Sequence, residues 1–290
     1  MKLSDKLRNY AVYISRVIHI PAHIAVPRCT LPLVKAYLKG LTFKATYRGH
    51  IGPHLHKNCI VRTYGKYFIV RKHTVDLNVV TPLSETEEIN ILCSKLKNLK
   101  ERAKRNSYQI IFIDVGAHIG KYSILFSNLV HKVIALEPDP RNYIVLRYNL
   151  KLNKVFNVVA LHMASSSQKG RIKLVINNVY TAHSHVVNQE KPSTHYIMVQ
   201  ALPLDSLLEQ LGLTSATTYY VLKVDVEGHE VDVLKGAQRT LRRTKILLVE
   251  TTYQNLHQLL KLLPREMYVV AMRRYPQTMN LVLTTRELVT

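Results

Sequence analysis

The chain of 290 residues contains no tryptophan and only three cysteines, Cys29, Cys59 and Cys93. The cysteines lie far apart and include no CxxC pair, whereas a disulfide framework needs more cysteines and a zinc site needs closer spacing. The sequence therefore disfavours a disulfide-stapled secreted domain and a structural zinc site. We expect a reducing, cytoplasmic setting.

Long uncharged hydrophobic runs are also missing. Residues 9–38 are rich in apolar side chains, but Arg16, Pro21 and Pro27 interrupt them. Because a transmembrane helix needs about 20 predominantly apolar residues, we expect no membrane span. The break at Arg16 also disfavours a signal peptide. A helix packed on the rest of the protein is the favoured interpretation of this region, and a basic interfacial helix over residues 5–19 is the alternative.

Acidic residues are scarce, since 19 Asp and Glu face 41 Lys and Arg and leave a formal net charge of +22. A field of this sign attracts polyanions such as nucleic acids and anionic membrane surfaces, although it carries no information about the fold. The hydrophobic content of 47% is ordinary for a globular protein and excludes wholesale disorder.

The most informative stretch is Phe112–Gly120, with the sequence FIDVGAHIG. An apolar run ends at Asp114, glycines follow at Gly116 and Gly120, and a helical pattern opens at Lys121. This order predicts a strand, a glycine loop and a helix, with loop backbone bare enough to lie against a ligand.

A second apolar strand over residues 132–137 ends in Glu137, 23 positions after Asp114. This spacing is close to the roughly 20 residues at which an acidic side chain reaches a ribose hydroxyl. The pattern therefore indicates a cofactor that contains adenosine.

The glycine loop favours S-adenosyl-L-methionine over a dinucleotide. A dinucleotide loop uses three glycines to seat a pyrophosphate at a helix N-terminus, but no third glycine follows Gly120. Asp114 would repel a pyrophosphate, whereas it suits the sulfonium and amino groups of S-adenosylmethionine.

Upstream of the glycine loop, the sequence predicts short helices over residues 1–45, broken by prolines, and a strand pair that turns at Gly65. It also predicts a helix over residues 84–105 that Ser84 caps. From residue 107 onward, strand and helix patterns alternate, which predicts a parallel sheet with helices on both faces. The expected strands are 110–114, 132–137, 156–163, 219–225 and 245–250, and the expected helices are 120–129, 140–152, 204–211, 230–242 and 252–263.

Two further pairs of strand-like runs are present. Residues 268–274 and 280–285 are joined by a short loop, so we expect them to form an antiparallel hairpin at the end of the sheet. Residues 171–176 and 196–201 predict a hairpin excursion between the third and fourth strands.

A second motif, Tyr219–Gly236, reads YYVLKVDVEGHEVDVLKG. Ligands of open α/β sheets bind at the carboxyl ends of the strands, so we expect these motif residues to lie near Asp114 and Glu137. Crowded carboxylates are costly to bury unless they meet cations or donors, which suggests a function. The residues concerned are Lys223, Asp225, Glu227 and His229.

Together these stretches resemble the FkbM family of S-adenosylmethionine-dependent methyltransferases. The resemblance covers about residues 108–285, and the Lys-x-Asp-x-Glu-Gly-x-Glu element at Lys223–Glu230 is its most specific part. It implies an α/β, class I methyltransferase (Rossmann-like) fold over residues 106–290, with a mostly parallel seven-stranded sheet and a terminal antiparallel hairpin. Residues 1–105 would form a basic N-terminal α+β extension.

The resemblance also implies roles for individual residues. Asp114, Gly116 and Gly120 would line the methionine end of the cofactor, Glu137 would take the ribose hydroxyls, and Ala164 would lie near adenine. His118 stands where asparagine is expected, and we favour packing or a loop hydrogen bond for it. The candidate cofactor-binding residues are Asp114, Gly116, Ala117, His118, Gly120, Glu137, Pro138 and Ala164.

Methyl transfer from a sulfonium is an in-line displacement in which the protein aligns the acceptor and helps to remove a hydroxyl proton. The candidate bases are His229, Glu227 and Asp225, and Lys223 would need a lowered pKa to serve. A divalent metal on Asp225 and Glu227 is not favoured, because the spacing matches no established metal signature.

The acceptor class is narrowed by what the motif loops lack. No Asn/Asp-Pro-Pro-Tyr element follows the fourth strand and no cysteine lies in the motif loops, which disfavours amine and thiolate-assisted carbon methylation. Oxygen methylation is therefore the expected chemistry, and the resemblance implies that the acceptor is a hydroxyl of a sugar, a glycolipid or another small molecule. Methylation of RNA or another polyanion along Lys100–Arg105 and Arg239–Arg243 is the alternative. A cofactor-binding regulatory module without turnover is a third hypothesis.

Overall fold

The computed structural model describes residues 29, 31–36, 52–81, 85–179, 181, 184–187 and 196–289. Most of the helices predicted over residues 1–45 lie outside these ranges, as does the capping residue Ser84, whereas residues 31–36 are helical. No helix in the described part of the chain is long and apolar enough to cross a membrane.

The chain divides into two compact units. The smaller unit comprises Met1–Thr86 with Asn177–Ala182, and the larger comprises Glu87–Ile176 with His183–Thr290. The functional division at residue 105 into an extension and a cofactor-binding domain stays a prediction.

The smaller unit contains a β-hairpin. Strands β1 (Cys59–Thr63) and β2 (Lys66–Val70) pair antiparallel across a turn in which Tyr64 and Gly65 both have positive φ angles. This confirms the predicted strand pair, and a short helix, α1 (Asp76–Val80), follows it.

The larger unit is an α/β assembly of eleven strands and seven helices within the described residues, apart from short 3-10 turns. Its strands are β3 (Gln109–Val115), β4 (Lys132–Leu136), β5 (Val158–Leu161), β6 (Ala164–Ser165), β7 (Gly170–Val175), β8 (His185–Val187), β9 (Tyr196–Leu202), β10 (Thr218–Val224), β11 (Thr244–Thr252), β12 (Met267–Arg274) and β13 (Thr278–Thr285). Its helices are α2 (Thr86–Arg105), α3 (Lys121–Phe126), α4 (Pro140–Leu152), α5 (Leu204–Gln210), α6 (Glu230–Lys235), α7 (Gln238–Leu241) and α8 (Leu256–Leu262).

Seven of these strands form the central sheet, in the order β12-β13-β11-β10-β3-β4-β5. The pairs from β11 through β10, β3 and β4 to β5 are parallel, and β13 runs antiparallel to both of its neighbours. The predicted α/β class, the mostly parallel sheet and the terminal hairpin are thereby confirmed.

Burial explains why β3 and β10 occupy the centre of the sheet. Both strands are near-continuous apolar runs whose residues are almost all buried. Such runs suit strands that are covered on both faces, because alternation with polar residues would place polar groups in the core. The main hydrophobic core, which includes Ile111, Ile113 and Leu222, packs around these strands.

Two predicted elements differ from the structure. The helix predicted over residues 230–242 is split into α6 and α7 around Gly236. A Cβ atom at Gly236 would lie 2.2 Å from the carbonyl oxygen of Ser166, so the chain passes too close to a neighbouring loop there for a side chain. The hairpin predicted between the third and fourth strands is part of a second, four-stranded sheet in the order β6-β9-β7-β8.

The strand order reverses at the centre of the sheet. The chain passes from β3 to β4 on one side, and β10 later pairs with β3 on its other side. In open α/β sheets, ligands bind at the carboxyl ends of the strands that flank such a reversal. The ends of β3 and β10 are therefore the place to look for a site.

Candidate active site

Gly116 brings the ends of the two central strands together. Its φ angle is +81°, and a Cβ atom at this position would lie 1.9 Å from the backbone oxygen of Asp225. The amide of Asp225 in turn donates to the carbonyl of Val115 at 3.1 Å. Only glycine combines this backbone conformation with so close an approach.

The same loop is tied to β4 and to α4. The amides of Gly116 and Ala117 both donate to the carbonyl oxygen of Leu136, at 3.0 and 2.9 Å. At the other end of the loop, Gly120 has a φ angle of +91°, and a Cβ atom there would lie 2.4 Å from Cδ1 of Leu146. The predicted glycine loop is therefore present, and it is fixed from both sides.

Glu137 connects the glycine loop to the turn that follows β4. Its Oε2 accepts from the amide of His118 at 2.7 Å, and its Oε1 accepts from the amide of Asp139 at 2.9 Å and from Nδ2 of Asn142 at 3.3 Å. Burial raises the pKa of Glu137 to about 7 against the opposing effect of these donors. The carboxyl group thus lies beside the loop, where the predicted ribose role would require it.

The turn after β4 continues through Pro138 and Asp139. The carbonyl oxygen of Pro138 lies 3.0 Å from Nε2 of His162, and Asp139 caps α4 by accepting from the amide of Arg141 at 2.9 Å. Burial opposes ionisation of Asp139, but its hydrogen bonds with Arg141 outweigh this effect and lower its pKa. Both residues therefore shape the turn.

Ala164 lies at the start of β6, where it is buried and pairs with Ala201 of β9. The next residue, Ser165, is also buried, and its hydroxyl has no hydrogen-bond partner among the described residues. A polar atom of this kind next to Ala164 is suited to contact a ligand.

Asp114 and Lys223 form the buried charged pair of the site. Oδ2 of Asp114 accepts from the amide and the hydroxyl of Ser123, at 3.0 and 2.7 Å. Nζ of Lys223 lies 3.4 Å from Oδ1 of Asp114 and 3.4 Å from Oδ2 of Asp225, and it donates to the carbonyl of Gly116 at 3.2 Å. A lysine held between two carboxylates acts as their counter-charge, not as a base.

Three further carboxyl groups lie close to Asp225: Glu227 and Glu230 after β10, and Glu250 on β11. The pKa of Glu227 is raised to about 9, first by burial and then by the charges of Asp225, Glu250 and Glu230, whereas Lys223 lowers it. Asp225 itself is 27% exposed. With this pKa, Glu227 holds a proton at neutral pH, because a carboxyl group that is partly buried beside like charges is costly to ionise.

Glu230, which is not among the site residues predicted from the sequence, holds the turn after β10 in place. Its Oε1 accepts from the amides of Gly228 at 2.9 Å and Val226 at 3.3 Å, and burial raises its pKa. The sequence could have indicated this residue, because Glu230 is the last glutamate of the second motif.

His229 has a polar group near each of its ring nitrogens. Nε2 lies 2.9 Å from the hydroxyl oxygen of Ser166, and Nδ1 lies 3.6 Å from Oδ2 of Asp232. Burial lowers the pKa of His229, so the ring is neutral at neutral pH. Sequence reasoning missed Ser166 because the residue lies 63 positions away and belongs to no motif.

The described residues include no group of three or more His, Cys, Asp or Glu side chains placed to hold a metal ion. The carboxylates of the site instead find their counter-charge in Lys223.

The family comparison decides what kind of protein carries this arrangement. Residues 114–272 match the family model described as the methyltransferase FkbM domain, which is more than half of the chain. The chain belongs to the FkbM methyltransferase family. The matched segment begins at Asp114 and contains the glycine loop, Glu137 and the second motif, so the predicted family is confirmed.

Two curated methyltransferases are similar to parts of this chain. The hexuronic acid methyltransferase AglP of Haloferax volcanii is 31% identical over 137 residues, which cover 47% of this chain and 54% of that protein. The methyltransferase sdnD of Sordaria araneosa is 31% identical over 153 residues, which cover 43% of this chain and 59% of that protein. The FkbM chain thus spans little more than half of the length of each.

Among solved structures, the putative methyltransferase yhhF from Escherichia coli superposes with a TM-score of 0.44 at 9% identity. The superposition covers 78% of this FkbM chain and 98% of that protein. At this level of similarity it carries no argument about activity.

Proposed function

We propose that this protein is an S-adenosylmethionine-dependent methyltransferase that transfers a methyl group to a hydroxyl of a sugar, a glycolipid or another small molecule. The observation that carries the proposal is the contact of Gly116 with the backbone of Asp225. This contact places the glycine loop, expected to hold the cofactor, directly beside the carboxylates expected to meet the acceptor.

The residues around the loop suit S-adenosylmethionine better than a phosphate-bearing cofactor. The buried carboxyl groups of Asp114 and Glu137 flank the loop, and this environment repels a pyrophosphate while favouring a sulfonium and an ammonium group. Glu137 would take the ribose hydroxyls, and Ser165 with Ala164 would lie at the adenine. When bound, S-adenosylmethionine supplies an electrophilic methyl group.

We assign to Asp225 the role of the base that accepts the proton of the acceptor hydroxyl. Its carboxylate is partly exposed at the carboxyl end of β10, and Lys223 offsets its negative charge at 3.4 Å. Asp225 accepts the hydroxyl proton, and the protonated Glu227 beside it donates a hydrogen bond that orients the acceptor oxygen. His229 holds the turn through Ser166, so it serves this reaction by positioning the neighbouring carboxyl groups.

The name of the relative AglP supports a sugar acceptor, since a hexuronic acid methyltransferase acts on a carbohydrate. The Arg239–Arg243 part of the basic track proposed for RNA has less support. Arg239 is paired with Glu209 at 2.9 Å, and the guanidinium of Arg243 donates to the carbonyl oxygens of Thr214 and Thr218 at 3.0 and 2.8 Å. Both guanidinium groups are therefore engaged within the domain.

The test is an acceptor screen with radiolabelled S-adenosylmethionine across monosaccharides, uronic acids, glycolipids and RNA. We expect label in a carbohydrate or glycolipid fraction, in a linkage that resists mild base, as expected for a methyl ether. Label in the RNA fraction would show that RNA is the acceptor and would contradict the proposal of a carbohydrate or small-molecule acceptor. Cofactor binding with no transfer to any fraction would favour the regulatory module.

A further inference from the structure

Helix α4 presents an exposed face that combines an apolar row with a basic row. Ile144, Tyr148 and Leu152 lie four residues apart along the helix and are 53%, 59% and 36% exposed. Arg147 and Lys151 form the neighbouring row and are also exposed. Side chains with this spacing share one side of a helix, so the two rows run next to each other along its surface.

Two further exposed residues of the same chemical types follow the helix in the sequence. Phe156, four residues after Leu152, is 90% exposed, and Lys154 beside it is exposed as well. We call this set the α4 face, consisting of Ile144, Arg147, Tyr148, Lys151, Leu152, Lys154 and Phe156. Single exposed apolar side chains are common, but a row of them along one side of a helix marks an interaction surface.

The charged residues of the α4 face, Arg147, Lys151 and Lys154, are all positive. No aspartate or glutamate occurs between Asp139 and Glu190, a stretch that contains the whole face. Asp139 itself is buried and paired with Arg141, so it does not offset the cations of the face. The partner of this surface must therefore accept apolar side chains and carry negative charge at the same time.

We propose that the α4 face docks the protein on the surface of an anionic lipid bilayer. Lysine and arginine side chains interact with anionic headgroups, while neighbouring aromatic and aliphatic side chains enter the boundary between headgroups and acyl chains. Tyr148 and Phe156 supply aromatic groups for this boundary, and Arg147 and Lys151 supply the cations. This surface binding is independent of the proposed acceptor.

Two other partners fit the α4 face less well. A nucleic acid would use the cations, but the aliphatic side chains of Ile144 and Leu152 make no favourable contact with phosphate. A second copy of the chain would bring an identical face with the same three cations, Arg147, Lys151 and Lys154, into contact with the first, and like charges in an interface are unfavourable.

Vesicle sedimentation tests the proposal. We expect the wild-type protein to sediment with vesicles of phosphatidylcholine and phosphatidylglycerol, and much less with phosphatidylcholine alone. Each cation removed near an anionic surface lowers partitioning about fivefold, so the double variant Arg147→Gln/Lys151→Gln is expected to bind roughly 25-fold more weakly. The matched control, Lys261→Gln/Arg265→Gln, removes the same charge from another exposed surface and is expected to bind like the wild type.

The absence of tryptophan provides a second, site-specific measurement. The variant Phe156→Trp introduces a single reporter into the α4 face, and its emission is expected to shift to shorter wavelength when anionic vesicles are added. The control Tyr268→Trp, at an exposed position of β12, is expected to show no shift. Thermal unfolding of each variant, followed by circular dichroism, checks that the fold is kept.

Several outcomes would overturn the proposal. These are failure of the wild type to bind anionic vesicles, equal loss of binding in the two double variants, or an emission of Phe156→Trp that vesicles leave unchanged. A dimer detected by sedimentation equilibrium without vesicles and abolished by Ile144→Ser/Tyr148→Ser would assign the face to a second copy instead. Binding to RNA that depends on Arg147 and Lys151, without vesicle binding, would assign it to nucleic acid.

Discussion

The backbone amide of His118 donates a 2.7 Å hydrogen bond to Oε2 of Glu137 and thereby joins the glycine loop after β3 to the end of β4. The other oxygen of the same carboxyl group accepts from the amide of Asp139 at 2.9 Å. One buried side chain thus fixes the two turns between which the cofactor is proposed to lie. Its pKa of about 7 lets it accept or release a proton as its hydrogen-bond partners change.

Substitution of Gly116 by alanine tests the contact between β3 and β10. The added Cβ atom would lie 1.9 Å from the backbone oxygen of Asp225, and alanine is also strained at a φ angle of +81°. We expect the free energy of unfolding to fall by about 2 to 5 kcal/mol, as measured by urea unfolding. Gly212→Ala is the control, because Gly212 has a φ angle of +66° with nothing within 4 Å of the added atom. An equal loss in both variants would mean that backbone conformation alone is responsible.

Glu227 is expected to make stability depend on pH. Its pKa is raised to about 9 in the folded state from an ordinary value of 4.5, first by burial and then by neighbouring carboxylates. The protonated group therefore contributes fully to the free energy of unfolding below pH 4.5. This contribution is lost as the pH rises towards 9, by up to about 1.4 kcal/mol per pH unit.

The variant Glu227→Gln mimics the protonated form and should flatten this decline. Urea unfolding of the wild type and the variant between pH about 5 and about 9 provides the measurement. Glu209→Gln, at an exposed position, is the matched control and should keep the wild-type slope. A slope that Glu227→Gln leaves unchanged would show that Glu227 does not hold the proton.

Asp225→Asn removes the proposed proton acceptor while keeping the shape of the side chain. We expect turnover with the identified acceptor to fall by about 10² to 10⁴-fold, with the affinity for S-adenosylmethionine preserved. Asp232→Asn changes a carboxylate of the same region that faces His229 and should retain most of the activity. Unchanged turnover in Asp225→Asn would remove Asp225 from the mechanism.

The pair of His229 and Ser166 is expected to act on the structure of the turn. A double-mutant cycle with His229→Ala and Ser166→Ala should give a coupling energy of about 1 kcal/mol in the free energy of unfolding, as expected for one hydrogen bond. We expect turnover of His229→Ala to stay within about tenfold of the wild type, well short of the loss in Asp225→Asn. Abolished turnover with undiminished stability would instead identify His229 as the base.

The central sheet was predictable because its signals are local. The apolar run before Asp114 and the glycines at 116 and 120 specify a strand, a loop and a helix within twelve residues or so of one another, a range in which hydrophobic period and backbone conformation dominate. The acidic residues that follow β4 and β10 could then be assigned to one site, because ligands bind at the carboxyl ends of parallel strands.

The parts that were missed depend on contacts between distant residues. The break between α6 and α7 lies at Gly236, where the chain runs close to Ser166. A Cβ atom added to Gly236 would lie 2.2 Å from the carbonyl oxygen of Ser166, and no local sequence pattern marks this approach. The hydrogen bond between Ser166 and His229 spans 63 positions. Ser123, which binds Asp114 through both its amide and its hydroxyl, lies in an ordinary helical pattern.

The most direct test of the proposed function is the binding of S-adenosylmethionine and S-adenosylhomocysteine, measured by calorimetry for the wild type and for Glu137→Ala. The proposal predicts micromolar binding to the wild type, on the scale of about −8 kcal/mol, and its loss in the variant. The folded state of Glu137→Ala is checked by circular dichroism, since the substitution also removes the hydrogen bond to His118. Failure of the wild type to bind either ligand, or equal binding by a folded Glu137→Ala, would contradict the proposal.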